Sequence, residues 1–205
     1  MKKYSIVFYL IIFAFLSGKA QINTYSPYSY FGLGDIHNYS NTSSASMGGL
    51  GVTTTSSNLS NHINPASYSY LNQTAFEIGA RSSYRTMFQN DSEQNNFISG
   101  LLNLGLGFPI SNKIGASVAL LPYSSVGYNV TAEVISDNEI GIVNYIYTGS
   151  GGVNRFLFGT GVKITDYISL GVNWNYFFGS IDKVIDISTE DDFTKFREAE
   201  STYIS

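Results

Sequence analysis

The chain has 205 residues, with 15 acidic against 11 basic side chains and no cysteine. The formal net charge of −4 argues against nucleic acid or an anionic surface as a partner. A chain without cysteine has no disulfides, no thiolate metal ligands and no cysteine nucleophile.

Residues 1–20 have the features of a secretory signal peptide. Lys2 and Lys3 precede an apolar run at residues 6–16, and small residues follow at Gly18 and Ala20. This pattern predicts cleavage after Ala20. The apolar run is too short to cross a bilayer comfortably, so we expect an exported protein and not one anchored by this segment.

Residues 21–73 differ in composition from the rest of the chain. They are rich in Ser, Asn, Tyr and Gly and show no long alternation of apolar and polar residues. Turn-forming chemistry dominates such a segment. It is therefore either a disordered leader or a compact irregular element held by its surroundings.

From residue 74 onward the chain alternates with a period of two, which is typical of half-buried β-strands. The predicted strands lie at 75–87, at 97–108, from 114 to about 121, at 153–164 and at 168–178. We expect residues 124–152 to be an extended loop with one strand-like part at 140–147. The acidic stretch at 182–200 is expected to be a solvated outer loop.

The pattern favours a transmembrane β-barrel, since apolar and aromatic residues occupy one face of each strand and Gly or Asn the other. The connections also alternate between short and long, as in outer-membrane barrels. Five strands cannot close a barrel, because an open edge in lipid leaves backbone groups unsatisfied. The fold class is therefore predicted as all-β, an incomplete antiparallel transmembrane β-barrel (residues 74–205) behind a small irregular plug or hatch (residues 21–73). The sequence is then the truncated N-terminal part of a longer protein, and a soluble secreted β-domain is the competing interpretation.

Asn64-Pro65-Ala66 lies between a Gly-rich stretch at residues 47–52 and the first predicted strand. Together with the signal peptide and the segment at residues 26–35, this resembles the N-terminus of the outer-membrane long-chain fatty acid transporter family. The resemblance implies that residues 21–73 form a plug in which Asn64, Pro65 and Ala66 line the substrate pathway. The competing interpretation of the motif is an ordinary turn at an Asn-Pro step.

Proline removes a hydrogen-bond donor from a strand and marks edges, bulges or breaks in pairing. The resemblance implies a kink in the third strand at Pro122 and Tyr123, which opens a lateral exit through the barrel wall. The alternative interpretation is that the strand ends at Leu121 and that Pro122 begins a loop. If the kink is present, Asn64 is expected to satisfy backbone groups freed near Pro122.

Three charged residues of the first strand, Glu77, Arg81 and Arg85, are predicted to face the lumen. The two histidines, His37 and His62, lie in the irregular region without cysteine partners, so no metal site is predicted. The sequence contains no nucleophile elbow and no phosphate-binding loop, so we expect neither an enzyme nor a cofactor.

The resemblance implies passive uptake of hydrophobic small molecules, such as long-chain fatty acids, by lateral exit through the barrel wall. The predicted partners are outer-membrane lipid and a hydrophobic solute, with no nucleic acid. The predicted location is the outer membrane of a Gram-negative cell. The alternative is a scaffold or shuttle of the same architecture in type IX protein secretion, with secretion-machinery proteins as partners.

Overall fold

The computed structural model describes residues 24–37, 41–89, 92–135, 142–189 and 195–205. The predicted signal peptide at 1–20 lies outside these residues. Within them, residues 24–73 contain two 3₁₀-helices (Pro27–Tyr30 and Pro65–Tyr70), the short helix α1 (Thr42–Ser46) and the two-residue strand β1 (Asp35–Ile36). We call residues 24–73 the N-terminal segment.

Six long strands follow the N-terminal segment: β2 (Ala75–Gln89), β3 (Ser92–Ser111), β4 (Ile114–Ile135), β5 (Ile142–Lys163), β6 (Ser169–Thr189) and β7 (Lys195–Ile204). They pair in chain order as an antiparallel meander, and β1 adds to β4. Among the described residues β2 and β7 do not pair with each other, so the sheet is open. The prediction of an all-β antiparallel fold is confirmed.

No helix in the described ranges is long and apolar enough to cross a membrane.

Two loop predictions are wrong. Residues 124–152 were expected to be mostly loop, but β4 continues to Ile135 and β5 begins at Ile142. The acidic stretch at 182–200 instead contributes to β6 and β7, and residues 190–194 lie outside the described residues. Both errors arise where the apolar residues change from one face of the sheet to the other.

The inner face of the sheet is the one that carries the N-terminal segment, and the outer face is the opposite one. Residues paired across β4, β5 and β6 form rows that share a face. Outer-face rows run from Ile114–Val162–Leu170 to Pro122–Asn154–Phe178, and we call this part the lower half. Its outer side chains are largely apolar: Val118, Leu120, Phe156, Phe158, Val172, Trp174 and Tyr176.

Beyond the row Pro122–Asn154–Phe178, in what we call the upper half, the polarity of the two faces is inverted. A β-bulge at Tyr123 puts Ser124 opposite Val153, so the alternate apolar residues that follow in β4 point inward. β5 and β6 have no bulge here, and their apolar residues instead change from mainly even-numbered positions in the lower half to mainly odd-numbered positions in the upper half. The inner face therefore carries Val126, Tyr128, Val130, Tyr147 and Ile181, whereas the outer face carries Asn129, Thr131, Thr148, Ser150, Asp182 and Asp186.

Candidate functional site

The N-terminal segment lies against the inner face through a row of three glycines. Gly115, Gly161 and Gly171 pair with one another across β4, β5 and β6. A Cβ at Gly115 would overlap the carbonyl of Tyr68, and one at Gly161 or Gly171 would overlap the backbone of Pro65. The row therefore lets the second 3₁₀-helix approach the sheet at backbone distance.

A polar network joins the same helix to the strands. The side chain of Asn173 on β6 donates to the carbonyl of His62 (2.9 Å) and accepts from the hydroxyl of Tyr68 (3.0 Å). The imidazole of His62 lies 3.2 Å from the hydroxyl of Ser117 on β4. Tyr68 is fully buried, and burial raises the pKa of its phenol well above its ordinary value, so it stays a neutral donor.

Asn64-Pro65-Ala66 forms the start of the second 3₁₀-helix. Asn64 is its N-cap, accepting from the amide of Ala66 (3.2 Å), and Pro65 occupies the first helical position. The side chain of Asn64 also donates to the carbonyl of Val52 (2.9 Å). The expected contact between Asn64 and the backbone near Pro122 is therefore wrong, because both polar groups of this amide bond within the N-terminal segment.

The sheet itself splits between β3 and β4. The two strands pair only from Leu104–Leu120 down to Ser111–Ile114, although both strands continue beyond that point. We call this divergence the β3–β4 split. It leaves the edge of β4 from residue 123 upward without β3 as a partner. The backbone N–H and C=O groups of that edge therefore need other hydrogen-bond partners.

Residues 26–37 occupy that edge. Asp35 and Ile36 of β1 pair with Ser125 and Ser124. The amide of His37 donates to the carbonyl of Tyr123 (2.8 Å).

Farther up β4, the N-terminal segment bonds both backbone groups of Gly127. The amide of Ser26 donates to the carbonyl of Gly127 (2.9 Å), and the amide of Gly127 donates to the hydroxyl of Ser29 (3.1 Å). The N-terminal segment thus seals the edge with its own backbone.

Pro122 lies at the foot of the split, inside β4 and directly before the bulge at Tyr123. The strand does not end at Leu121. The space left at the split is a cavity of about 20 Å³, lined in part by His37, Arg81, Leu101 and Pro122. A cavity of that size holds about one water molecule, and a more open pocket of about 380 Å³ that shares Arg81 and Leu101 lies beside it.

Glu77, Arg81 and Arg85 lie on the inner face of β2, next to the N-terminal segment. Glu77 accepts from the amide of Thr42 at the start of α1 (3.0 Å). Arg85 lies 3.9 Å from the carboxylate of Asp35 in β1, and Arg81 lines the cavity at the split. Arg81 and Arg85 therefore lie beside the elements that seal the split, whereas Glu77 contacts α1.

His37 contributes its side chain as well as its amide. Its imidazole lies 3.1 Å from the hydroxyl of Ser125. Burial and the nearby Arg81 lower its pKa below the ordinary value, with Asp35 acting in the opposite direction. The imidazole is therefore favoured in its neutral form at the seal.

Sequence reasoning missed the glycine row, Asn173 and the backbone role of His37. The glycines carried a partial signal, because they recur with a period of two on β3 (Gly105, Gly107) and β5 (Gly159, Gly161). The alignment of three of them in one row depends on strand register, which cannot be read directly from the sequence. No group of three or more His, Cys, Asp or Glu that would hold a metal ion is present among the described residues.

A family model described as BamG matches residues 1–205 of the chain. No curated protein matches the chain, and no solved structure does. The match overturns the resemblance to the long-chain fatty acid transporter family, which is a different family. The resemblance rested on short motifs, and here Asn64-Pro65-Ala66 is accounted for by the capping of a 3₁₀-helix. The BamG match indicates an association with the outer membrane.

Proposed function

The chain belongs to the BamG family, and from that premise we propose that it forms part of an outer-membrane β-barrel acting as an interaction scaffold. In this proposal the N-terminal segment is a fixed plug and the wall conducts no solute. The protein contributes binding surfaces and no catalytic chemistry.

The lower half supports the proposal of a membrane-spanning wall. Ile114–Pro122, Asn154–Val162 and Leu170–Phe178 are each nine residues long between the limiting rows. A tilted strand needs about 9–11 residues to cross a bilayer. Tyr176 is exposed on the outer face two residues below the upper limit, where aromatic side chains prefer the membrane interface, and Trp174 lies at the middle of the nine-residue span.

The observation that carries the scaffold proposal is the sealed β3–β4 split. A lateral route for solutes requires a gap in the wall, and the one place where neighbouring described strands diverge is filled by residues 26–37. Opening it would break several backbone hydrogen bonds at once and leave buried groups of β4 unpaired.

The N-terminal segment also presents apolar side chains to the surroundings. Met47, Leu50 and Val52 belong to its Gly-rich stretch, and Leu50 and Val52 are 62% and 71% exposed. Exposed apolar groups that are close in sequence are common at protein-binding sites. This stretch is the part of the proposed plug that we expect to contact a partner protein.

Passive uptake of hydrophobic small molecules, such as long-chain fatty acids, is the second candidate. The β3–β4 split favours it, since a wall that already diverges is where a lateral exit would form. It requires residues 26–37 to leave the edge of β4 during transport.

Two measurements on the full-length protein separate the candidates. In liposomes, a fluorescent long-chain fatty acid should enter at the same rate with the protein as without it, and faster entry would favour uptake. From native membranes, the tagged protein should co-purify in fixed stoichiometry with an outer-membrane or secretion-machinery protein. Replacing Leu50 and Val52 by Ser should reduce that yield, whereas Val172→Ser on the outer face should not. Purification of the protein alone, with lipid, would contradict the scaffold.

A further inference from the structure

A cleft in the upper half lies between the first 3₁₀-helix and the inner face of β4 and β5. It encloses about 360 Å³ and is lined by Pro27, Tyr30, Phe31, Tyr128, Val130 and Tyr147. Small-molecule sites typically enclose about 300–1,000 Å³ and are mainly apolar, with aromatic walls. We propose that this cleft, which we call the aromatic cleft, binds an uncharged apolar small molecule.

The rings of the aromatic cleft are arranged around Tyr30. The Tyr30 ring meets those of Phe31, Tyr128 and Tyr147 edge to face, with centroid distances of 5.3, 5.5 and 6.4 Å. Edge-to-face contacts fix the rings relative to one another, so the walls are pre-organised. A pre-organised cleft loses little conformational entropy when a ligand enters.

The charge at the cleft selects against a cationic ligand. The ammonium of Lys183 lies 5.0 Å from the centroid of the Tyr30 ring and donates to the carbonyl of Tyr30 (3.1 Å). It already occupies the position from which a ligand cation would contact that ring, and it would repel such a cation. No charged side chain lines the cleft, and the Lys183 ammonium is already bonded to the carbonyl of Tyr30, so the cleft complements an uncharged ligand.

The cleft lies in the part of the sheet where the two faces have exchanged polarity. It lies above the row Pro122–Asn154–Phe178, where the outer face carries mostly polar side chains and the inner face mostly apolar ones. Below that row the apolar face meets the surroundings of the sheet, whereas above it the apolar face is directed toward the N-terminal segment. The apolar wall of the cleft thus comes from the inner face of β4 and β5, whereas the side formed by Pro27, Tyr30 and Phe31 is exposed.

The experiment uses the full-length protein in lipid nanodiscs and the uncharged probe 1-N-phenylnaphthylamine. After subtraction of the signal from empty nanodiscs, probe fluorescence should rise with a saturable component of one molecule per chain. Val130→Trp fills the cleft from β4 and should weaken this component by about tenfold or more. The matched control is Asn129→Trp on the outer face of the same strand, which should leave binding unchanged.

A second variant guards against a folding defect in Val130→Trp. Phe31 is 71% exposed, so Phe31→Asp leaves the packing of the sheet intact while placing a carboxylate at the cleft. It should also abolish the saturable component. A wild-type protein without saturable binding, or binding that survives both variants, would overturn the assignment.

Discussion

The amide of His37 donates to the carbonyl of Tyr123, and Tyr123 is the bulged residue that β5 leaves without a partner. One hydrogen bond of 2.8 Å thus joins the N-terminal segment to the point where the sheet changes polarity. The carbonyl is available because β3 has left this edge of β4, and the same residue carries the bulge that turns the apolar residues of β4 inward. The seal and the inversion therefore meet at one residue.

Gly34 is the residue on which the β1 contact depends most directly. Its φ is +89°, and a Cβ would overlap the carbonyl of Ser125. We expect Gly34→Ala to displace β1 and to speed hydrogen exchange at residues 123–127, measured by mass spectrometry. Gly32→Ala is the matched control, because φ is also positive (+59°) but the Cβ meets nothing. It should cost about 1 kcal/mol of stability and leave exchange at β4 unchanged. Equal exchange in both variants would mean that β1 does not hold the edge.

The glycine row gives a second prediction. In Gly161→Ala the new methyl group overlaps the carbonyl of Pro65, so the second 3₁₀-helix must move. We expect about 1–3 kcal/mol of destabilisation, as in other overpacked sites, and faster proteolysis within residues 24–73. Val162→Ala changes the neighbouring outer-face residue and should leave proteolysis at the wild-type rate. If the two variants are cleaved alike, the close approach of helix and sheet does not hold the N-terminal segment.

The polar network can be tested at Asn173. Asn173→Leu removes the acceptor of the Tyr68 hydroxyl and the donor to the carbonyl of His62, and leaves both groups without these partners. We expect a loss of about 1–3 kcal/mol in the free energy of unfolding, measured by urea titration in detergent. Asn175→Leu, at the next inner position of β6 and exposed, is the control and should change stability by less than about 0.5 kcal/mol. If Asn173→Leu is as stable as wild type, the network makes no net contribution to the free energy of unfolding.

The seal should weaken in acid because of His37. Its folded-state pKa is lowered, chiefly by burial and then by Arg81, so the unfolded chain binds more protons than the folded one near the ordinary pKa of about 6.5. This contribution to stability is present above that value and is lost as the pH falls through the lowered pKa. Hydrogen exchange at residues 123–127, corrected for its intrinsic pH dependence, should accelerate between pH 7.5 and 5.

His37→Gln keeps a polar side chain without a titrating group and should flatten that pH dependence. Asp35, Arg81 and Arg85 face the same imidazole and are unchanged in this variant. An unchanged pH profile in the Gln variant would assign the effect to another group.

Much of the fold could be predicted from the sequence, because alternation over residues 168–178 or 97–108 specifies a strand directly. The upper half could not. In β4 the apolar residues keep even positions on both sides of residues 121–125, but a single bulge at Tyr123 reverses the face that they occupy. In β5 the change falls at Gly149, Gly151 and Gly152, which have no side chain to show it. The candidate site depends on register in the same way. Gly115, Gly161 and Gly171 are 10 to 56 positions apart in the chain and meet only because the strands pair as they do.

Asn64 and Pro122 provide the last prediction. Asn64→Ala removes the cap of the second 3₁₀-helix and the bond to the carbonyl of Val52, which should cost about 1–2 kcal/mol and loosen residues 51–70. Pro122→Val restores a strand amide beside the bulge and should slow hydrogen exchange of the neighbouring backbone. The two residues share no hydrogen-bond partner, since Asn64 bonds within the N-terminal segment and the bulge bonds to His37. Their effects on the free energy of unfolding should therefore add to within about 0.5 kcal/mol in the double variant. A larger interaction energy would mean that the capped helix and the bulge communicate through the N-terminal segment, with β1 as the connecting element.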